Sequence, residues 1–346
     1  MTPALAAPLH SLHIIEFEGL GPGPLAAWML AGLGARVTTL ARPGGNPMAQ
    51  QLGGPGENLL HRGKTVLEVD LKSPAGRAQA LALIAQADAL IEGNRPGVME
   101  RLALGPADCA AVNPRLVYGR MTGWGQTGPL AQAAGHDLNY VALSGLLSLG
   151  AHRGERPIVP PTVLGDAGGA LALAFGIVSA ALEARRSGVG RVVDAAIVDV
   201  VAMLGTLAHW IRGSGQLDGP APSPFHDSPF YDVYRCADGG HLTIGALEPP
   251  FYAELLRRLG FDDVDTASQY DRATWPALKT RFTALFASQP RDHWVALLEG
   301  SDACFAPVLG IAEAAQHPHN RARGTFTVDA AGRISAAFAP RFLPLG

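Results

Sequence analysis

The first third of the chain alternates between two periodicities, and that alternation narrows the possible folds more than any other feature. Runs rich in aliphatic and β-branched residues (SLHIIEF, RVTTLA, TVLEVDL, DALIEG, RLVYGR) are separated by runs with a helical apolar face (PLAAWMLAGLGA, AGRAQALALIAQA). Strand and helix alternating at this spacing predict an α/β fold with a parallel sheet covered on both faces. The chain has 346 residues, enough for about two domains.

Beyond this region the pattern changes. Two Ala/Leu/Val-rich stretches, 164–184 and 192–210, are followed by a Gly/Pro/Ser-rich segment, 213–224, that reads as a linker or exposed loop. FYDVYRCADGGHLTIGAL predicts a hairpin turning at Asp238-Gly239-Gly240. Three helical runs follow (PPFYAELLRRLG, WPALKTRFTALFASQ, RDHWVALLEG), and short strands close the chain (GTFTVD, GRISAAF).

Composition excludes several classes. Hydrophobic residues make up 48% and charged residues 16%, as in a globular protein, and the net charge of −3 argues against general nucleic-acid binding. The stretch nearest to a membrane span, 164–182, contains Asp166 and four glycines, so it reads as a buried or interfacial helix. MTPALAAPLHSLHIIEFEG lacks the basic start and continuous apolar core of a signal peptide. Cys109, Cys236 and Cys304 lie far apart with no CxxC, which predicts no disulfide framework, no metal site and a reducing, cytoplasmic setting.

EGLGPGPLAAWMLAGLGARV follows a strand and opens a helix, the setting of a dinucleotide-binding turn. Gly19, Gly21 and Gly23 are present, but Pro24 breaks the spacing. The second strand ends at Leu40-Ala41-Arg42, with no acid to hold a ribose diol. An oxidoreductase using a nicotinamide cofactor therefore lacks its second anchor.

Other residues suit proton transfer. A Gly/Thr loop after RLVYGR delivers His136 and Asp137 to the start of an apolar helical run, and a helix N-terminus carries partial positive charge. Asp137 reads as an N-cap. Asp166 precedes a long helix beside Gly165, Gly168 and Gly169, whose bare backbone would let a ligand oxygen approach the N–H groups. Glu248 ends a strand in LTIGALEPPFY. Cations gather near the predicted sheet ends (Arg42, Arg62, Lys64, Lys72, Arg95, Arg101), as a ligand with several phosphates requires.

WGQTGPLAQAAGHDLNY and the pair VDLKSPAG and ALIEGNRPGVMERLALG resemble the two signatures of the class III CoA-transferase superfamily. The GHDLNY form, with GALEPPFY, resembles the branch that racemises 2-methylacyl-CoA thioesters, and the resemblance covers essentially the whole chain. It implies a Rossmann-like large domain (1–190 with 325–346), linkers at 191–224 and 305–324, and a smaller α+β domain (225–304). It also implies an interlocked homodimer, with Glu248 approaching His136 from the neighbouring chain. His136 and Asp166 are then acid and base on opposite faces of the substrate. Arg42, Lys72, Asn94, Arg95 and Arg101 line the CoA site, Asn94 standing where the family usually has another residue. CoA is part of the acyl-CoA substrate, and no further cofactor is implied. The rival within the superfamily is a CoA-transferase in which Asp166 forms an acyl-enzyme intermediate.

Overall fold

The computed structural model describes residues 7–53, 58–152, 154–161 and 163–344. These divide into two compact units. The first comprises the described residues up to Gly150, then Ile158–Gly205, and those from Phe338 onward; the second comprises Ala151–Pro157 and Thr206–Ala337.

The first unit is built on six strands: β1 (His13–Phe17), β2 (Arg36–Ala41), β3 (Thr65–Glu68), β4 (Ala89–Glu92), β5 (Val117–Thr122) and β6 (Arg191–Ala196). They lie in the order β3-β2-β1-β4-β5-β6, every neighbour parallel. Successive residues sort their side chains onto opposite faces, as the strand period of two requires. Ile14, Ile91 and Val117 join one core cluster; Ile15, Leu90 and Tyr118 join the other. The chain runs outward from β1 in both directions, so strand order reverses between β1 and β4. That reversal leaves a crevice at the carboxyl ends of the strands, where ligands of such sheets bind.

Four helices of this unit matter for the site: α1 (Pro22–Gly32), α2 (Pro74–Ile84), α3 (Asp137–Leu143) and α4 (Gly168–Ser187). Leu173 and Ile177 of α4 enter the first core cluster. Gly119 on β5 permits that approach, because a Cβ there would lie 2.8 Å from Ile177 Cδ1. The segment Val163–Ser187 is long and apolar enough to cross a membrane, yet this face of it is packed on the sheet. Its other face is also apolar, with Leu171 60%, Phe175 75% and Leu182 65% exposed.

The second unit holds an antiparallel sheet in the order β7 (Tyr231–Arg235), β8 (His241–Gly245), β9 (Phe305–Val308). The expected hairpin is β7–β8. Phe230, Tyr252, Phe282, Phe286 and Trp294 fill the core between this sheet and the helices α5 (Pro249–Leu259), α6 (Trp275–Phe286) and α7 (Arg291–Leu298).

Three boundaries differ from those expected. Arg191–Ala196 is a sheet strand, not a linker: it pairs the otherwise open edge of β5, whose backbone groups need partners. Phe305–Val308 likewise completes the small sheet. The closing strands β10 (Phe326–Val328) and β11 (Ile334–Ala336) pair with each other inside the second unit, and only from Phe338 does the chain belong to the first. There Phe338 meets Trp28 of α1, ring centroids 4.2 Å apart.

The side chain of Lys64, read from sequence as a phosphate-binding candidate, is fully buried. Its Nζ donates to Glu16 Oε2 at 2.7 Å and to the Pro24 carbonyl at 2.9 Å, while Thr39 Oγ1 donates to the same Glu16 oxygen. The pair ties the first turn of α1 to the sheet. Lys64→Met leaves Glu16 buried without a counter-charge and is expected to lower unfolding stability by about 3 kcal/mol or more. Chemical denaturation of the variant measures it.

Candidate active site

A cavity of about 330 Å³ opens at the carboxyl ends of β1, β4 and β5. The turn from Gly19 to Pro24 forms one wall, Gly93–Pro96 a second, and Met121–Trp124 a third. His136, Tyr140 and Asp166 complete it. The cavity therefore occupies the point where strand order reverses.

The GHDLNY spacing explains how His136 is held. Its backbone precedes α3 in extended conformation, and Asn139 Oδ1, three residues on, accepts its N–H at 3.0 Å. Tyr140, four residues on, donates its hydroxyl to the Gly135 carbonyl. One helical turn reaches back to fix both peptide groups around the histidine. Trp124 meets Tyr140 edge-on at 4.7 Å and braces it. The imidazole belongs to an exposed residue at the cavity wall.

Asp137 is not the cap it was expected to be. It is 6% exposed, and its Oδ1 accepts the Asp166 backbone N–H at 2.6 Å. Asp166 stands in a π-helical turn, Val163–Ala167, just before α4; such turns recur at functional sites. A side chain on Gly165 would meet Asp137 Oδ1 at 2.3 Å, so glycine is obligatory there. Gly168 and Gly169 similarly make room for Leu204 and Ile197. The three glycines thus make room for packed protein atoms. Bare backbone faces the carboxylate from across the cavity: Gly21, at φ +70°, would place a Cβ 3.0 Å from Asp166 Oδ2.

Burial pushes the Asp166 carboxyl up to about 6, the negative charge of Asp137 adds to the rise, and His136 opposes it. His136 and Asp166 are therefore within electrostatic reach of each other. Glu248 lies on the second unit, at the N-cap of α5.

The cationic candidates separate into groups. Asn94 and Arg95 line the cavity. The Asn94 N–H is held by Glu92 Oε2 at 2.7 Å and its amide by the Met99 sulfur. Glu92 is buried and pairs with Arg120, which also binds Glu100 at 2.6 Å. Arg42 follows β2 with its side chain 56% exposed and its Nε 3.3 Å from Glu18. Lys72 and Arg101 are exposed, away from the cavity wall. Arg62 follows the short 3-10 turn Leu59–His61. Glu16, Glu92 and Arg120 support the cavity walls, a role the sequence motifs do not assign them. Their signal was present: each is a charge inside an otherwise apolar strand of a buried sheet, a placement that requires a partner.

Residues 9–343 match the sequence profile of CoA-transferase family III, and the chain belongs to that family. It is 40% identical over 345 residues to alpha-methylacyl-CoA racemase of Homo sapiens, covering 97% of this chain and 86% of that one. The corresponding racemase of Mus musculus is 41% identical over 331 residues, covering 93% and 83%. A crystal structure of a CAIB/BAIF family protein from Brucella suis has the same fold, with TM-score 0.82 and 26% identity over 97% of this chain and 93% of that one.

Replacing Asp137 by Asn keeps an oxygen for the Asp166 N–H but removes the charge. The Asp166 titration is then expected to move down from about 6, as read by carboxyl NMR. Stability follows the same sign. The folded value of about 6 lies above the ordinary 3.8, so ionising Asp166 opposes folding, and the penalty grows from pH 4 to 6 and persists above. Asp166→Asn should therefore gain about 1 kcal/mol over wild type at pH 8, the full shift being discounted because solvent screens a partly exposed carboxyl, and nothing at pH 4, by thermal unfolding.

Proposed function

We propose that this protein is a racemase that inverts the α-carbon of 2-methylacyl-CoA thioesters by two-base proton transfer through an enolate. One observation carries the reading: a single cavity presents a histidine and a carboxylate whose pKa, about 6, makes both protonation states accessible near neutrality. The identity with the two named racemases supports it.

The thioester carbonyl acidifies the α-proton. One group removes that proton and the C–H electron pair moves onto the carbonyl oxygen; the other group then protonates the opposite face as the carbonyl re-forms. His136 serves one face and Asp166 the other, and Glu248 orients and stabilises the His136 imidazole. The chemistry needs neither a metal nor a redox cofactor. Arg95 and Asn94 hold CoA at the cavity, with Arg42, Lys72 and Arg101 along its phosphates and adenine.

Glu248 comes from a second copy of the chain in a homodimer. The exposed apolar residues Leu171, Phe175 and Leu182 on α4, with Met203 60% exposed beyond it, support a large partner surface. The three free cysteines, two of them buried, suit the cytoplasm.

The alternative, a CoA-transferase moving CoA between an acyl-CoA and a free carboxylic acid, needs Asp166 ionised as a nucleophile. With the carboxyl at about 6 that form is populated at neutral pH, so dependence on an acceptor acid, not the charge state of Asp166, separates the two reactions.

Incubation with one enantiomer of a 2-methylacyl-CoA in D₂O tests the choice. Deuterium at the α-carbon with loss of optical purity, and no added acceptor acid, is the expected result. Acyl-CoA turnover only when a free acid is supplied establishes the transferase instead. His136→Ala and Asp166→Asn should each abolish epimerisation and leave CoA affinity nearly unchanged. Both reactive forms share one proton between His136 and Asp166, so the two directions should show one bell-shaped pH profile. Its acid limb falls near pH 6, where Asp166 takes up the second proton.

A further inference from the structure

Glu248 holds the N-cap position of α5, yet its carboxylate accepts no capping hydrogen bond. The two residues that follow explain this. Pro249 and Pro250 have no N–H, so the first turn lacks a donor that a capping oxygen ordinarily takes. A residue before proline is confined to extended backbone, and Glu248 lies there at φ −81°, ψ 140°. The prolines restrict the backbone and leave the carboxylate unengaged by its own helix.

The residues before Glu248 are held from the other side. Gln269, only 3% exposed, donates from Nε2 to the Ala246 carbonyl at 3.0 Å and to the Leu247 carbonyl at 2.9 Å. The Tyr270 hydroxyl donates to the same Leu247 carbonyl at 2.5 Å. Both donors are anchored in the core. Trp275 Nε1 donates to the Gln269 carbonyl at 2.8 Å, and the Tyr270 ring meets buried Phe230 edge-on at 5.5 Å. The Gln269 side-chain oxygen is buried and has no hydrogen-bond partner among the described residues. The amide is thus oriented to donate at the expense of its own acceptor. The Glu248 charge also reaches Tyr270, whose hydroxyl is raised by burial first and by Glu248 second.

We infer that Gln269 and Tyr270 are positioning residues for Glu248: by fixing the Ala246 and Leu247 carbonyls they set the direction in which its carboxylate leaves the chain. The inference rests on the proposed role of Glu248 as partner of His136. It gives a role to a half-exposed tyrosine that donates to a backbone carbonyl.

The test compares α-deuterium incorporation from D₂O by the full-length protein and by Tyr270→Phe, Glu248→Gln and the double variant, with thermal unfolding of each. Tyr270→Phe should lower kcat about tenfold with KM for the acyl-CoA and the Tm unchanged. It should cost nothing further when Glu248 is already Gln. Gln269→Met, which keeps the volume but removes the donors, should show the same non-additivity. An undiminished rate for Tyr270→Phe, or an equal loss in both backgrounds, overturns the positioning role and leaves the assignment of Glu248 standing. An undiminished rate for Glu248→Gln overturns that assignment and this inference with it.

Discussion

The site depends on one contact, the hydrogen bond from the Asp166 N–H to the Asp137 carboxylate. It joins the first residue of α3, which directly follows His136, to the π-helical turn that carries Asp166, two positions 29 residues apart in sequence. The contact also has an electrostatic effect. Burial raises the pKa of Asp166, and the neighbouring Asp137 carboxylate adds to that rise. One carboxylate thus holds the Asp166 backbone and contributes to the proton affinity of its side chain. The fold accepts a locally unfavourable charge pair, as functional sites commonly do.

Beneath the cavity, charged groups act as struts inside an apolar sheet. Glu16 and Lys64 connect β1 to the first turn of α1 through the Pro24 carbonyl. Glu92 connects β4 to Arg120 of β5 and at the same time holds the Asn94 N–H. Both struts lie under loops that form cavity walls. Buried ion pairs contribute little net stability compared with apolar packing, but they define the direction of the groups they bind. Here that direction is the aim of Gly21 and of the Asn94–Arg95 turn.

The two units solve the problem of holding a carboxylate differently. Asp166 is controlled by burial and by another acid. Glu248 is controlled through its backbone, by two prolines after it and by carbonyl contacts from Gln269 and Tyr270 before it, while the carboxylate itself stays exposed. Burial tunes proton affinity; backbone restraint sets position without a desolvation cost.

The sequence by itself determined the parallel sheet, because apolar runs of strand length alternating with helical periodicity have few other ways to bury both faces. It also determined the β7–β8 hairpin through its Asp-Gly-Gly turn, and the family through motifs at His136, around Arg95 and at Glu248. The tertiary structure alone decided what each polar side chain does. Lys64 read as a ligand for phosphate and proved to be a strut, Asp137 read as a cap and holds Asp166, and the glycines beside Asp166 make room for protein atoms. The strand Arg191–Ala196 read as a linker because its pairing partner, β5, lies far away in sequence. The physical reason is common to all of these. Hydrophobic periodicity is a local property of the chain, whereas a polar group's partner, and so its charge state and role, comes from residues that only folding brings within hydrogen-bond distance.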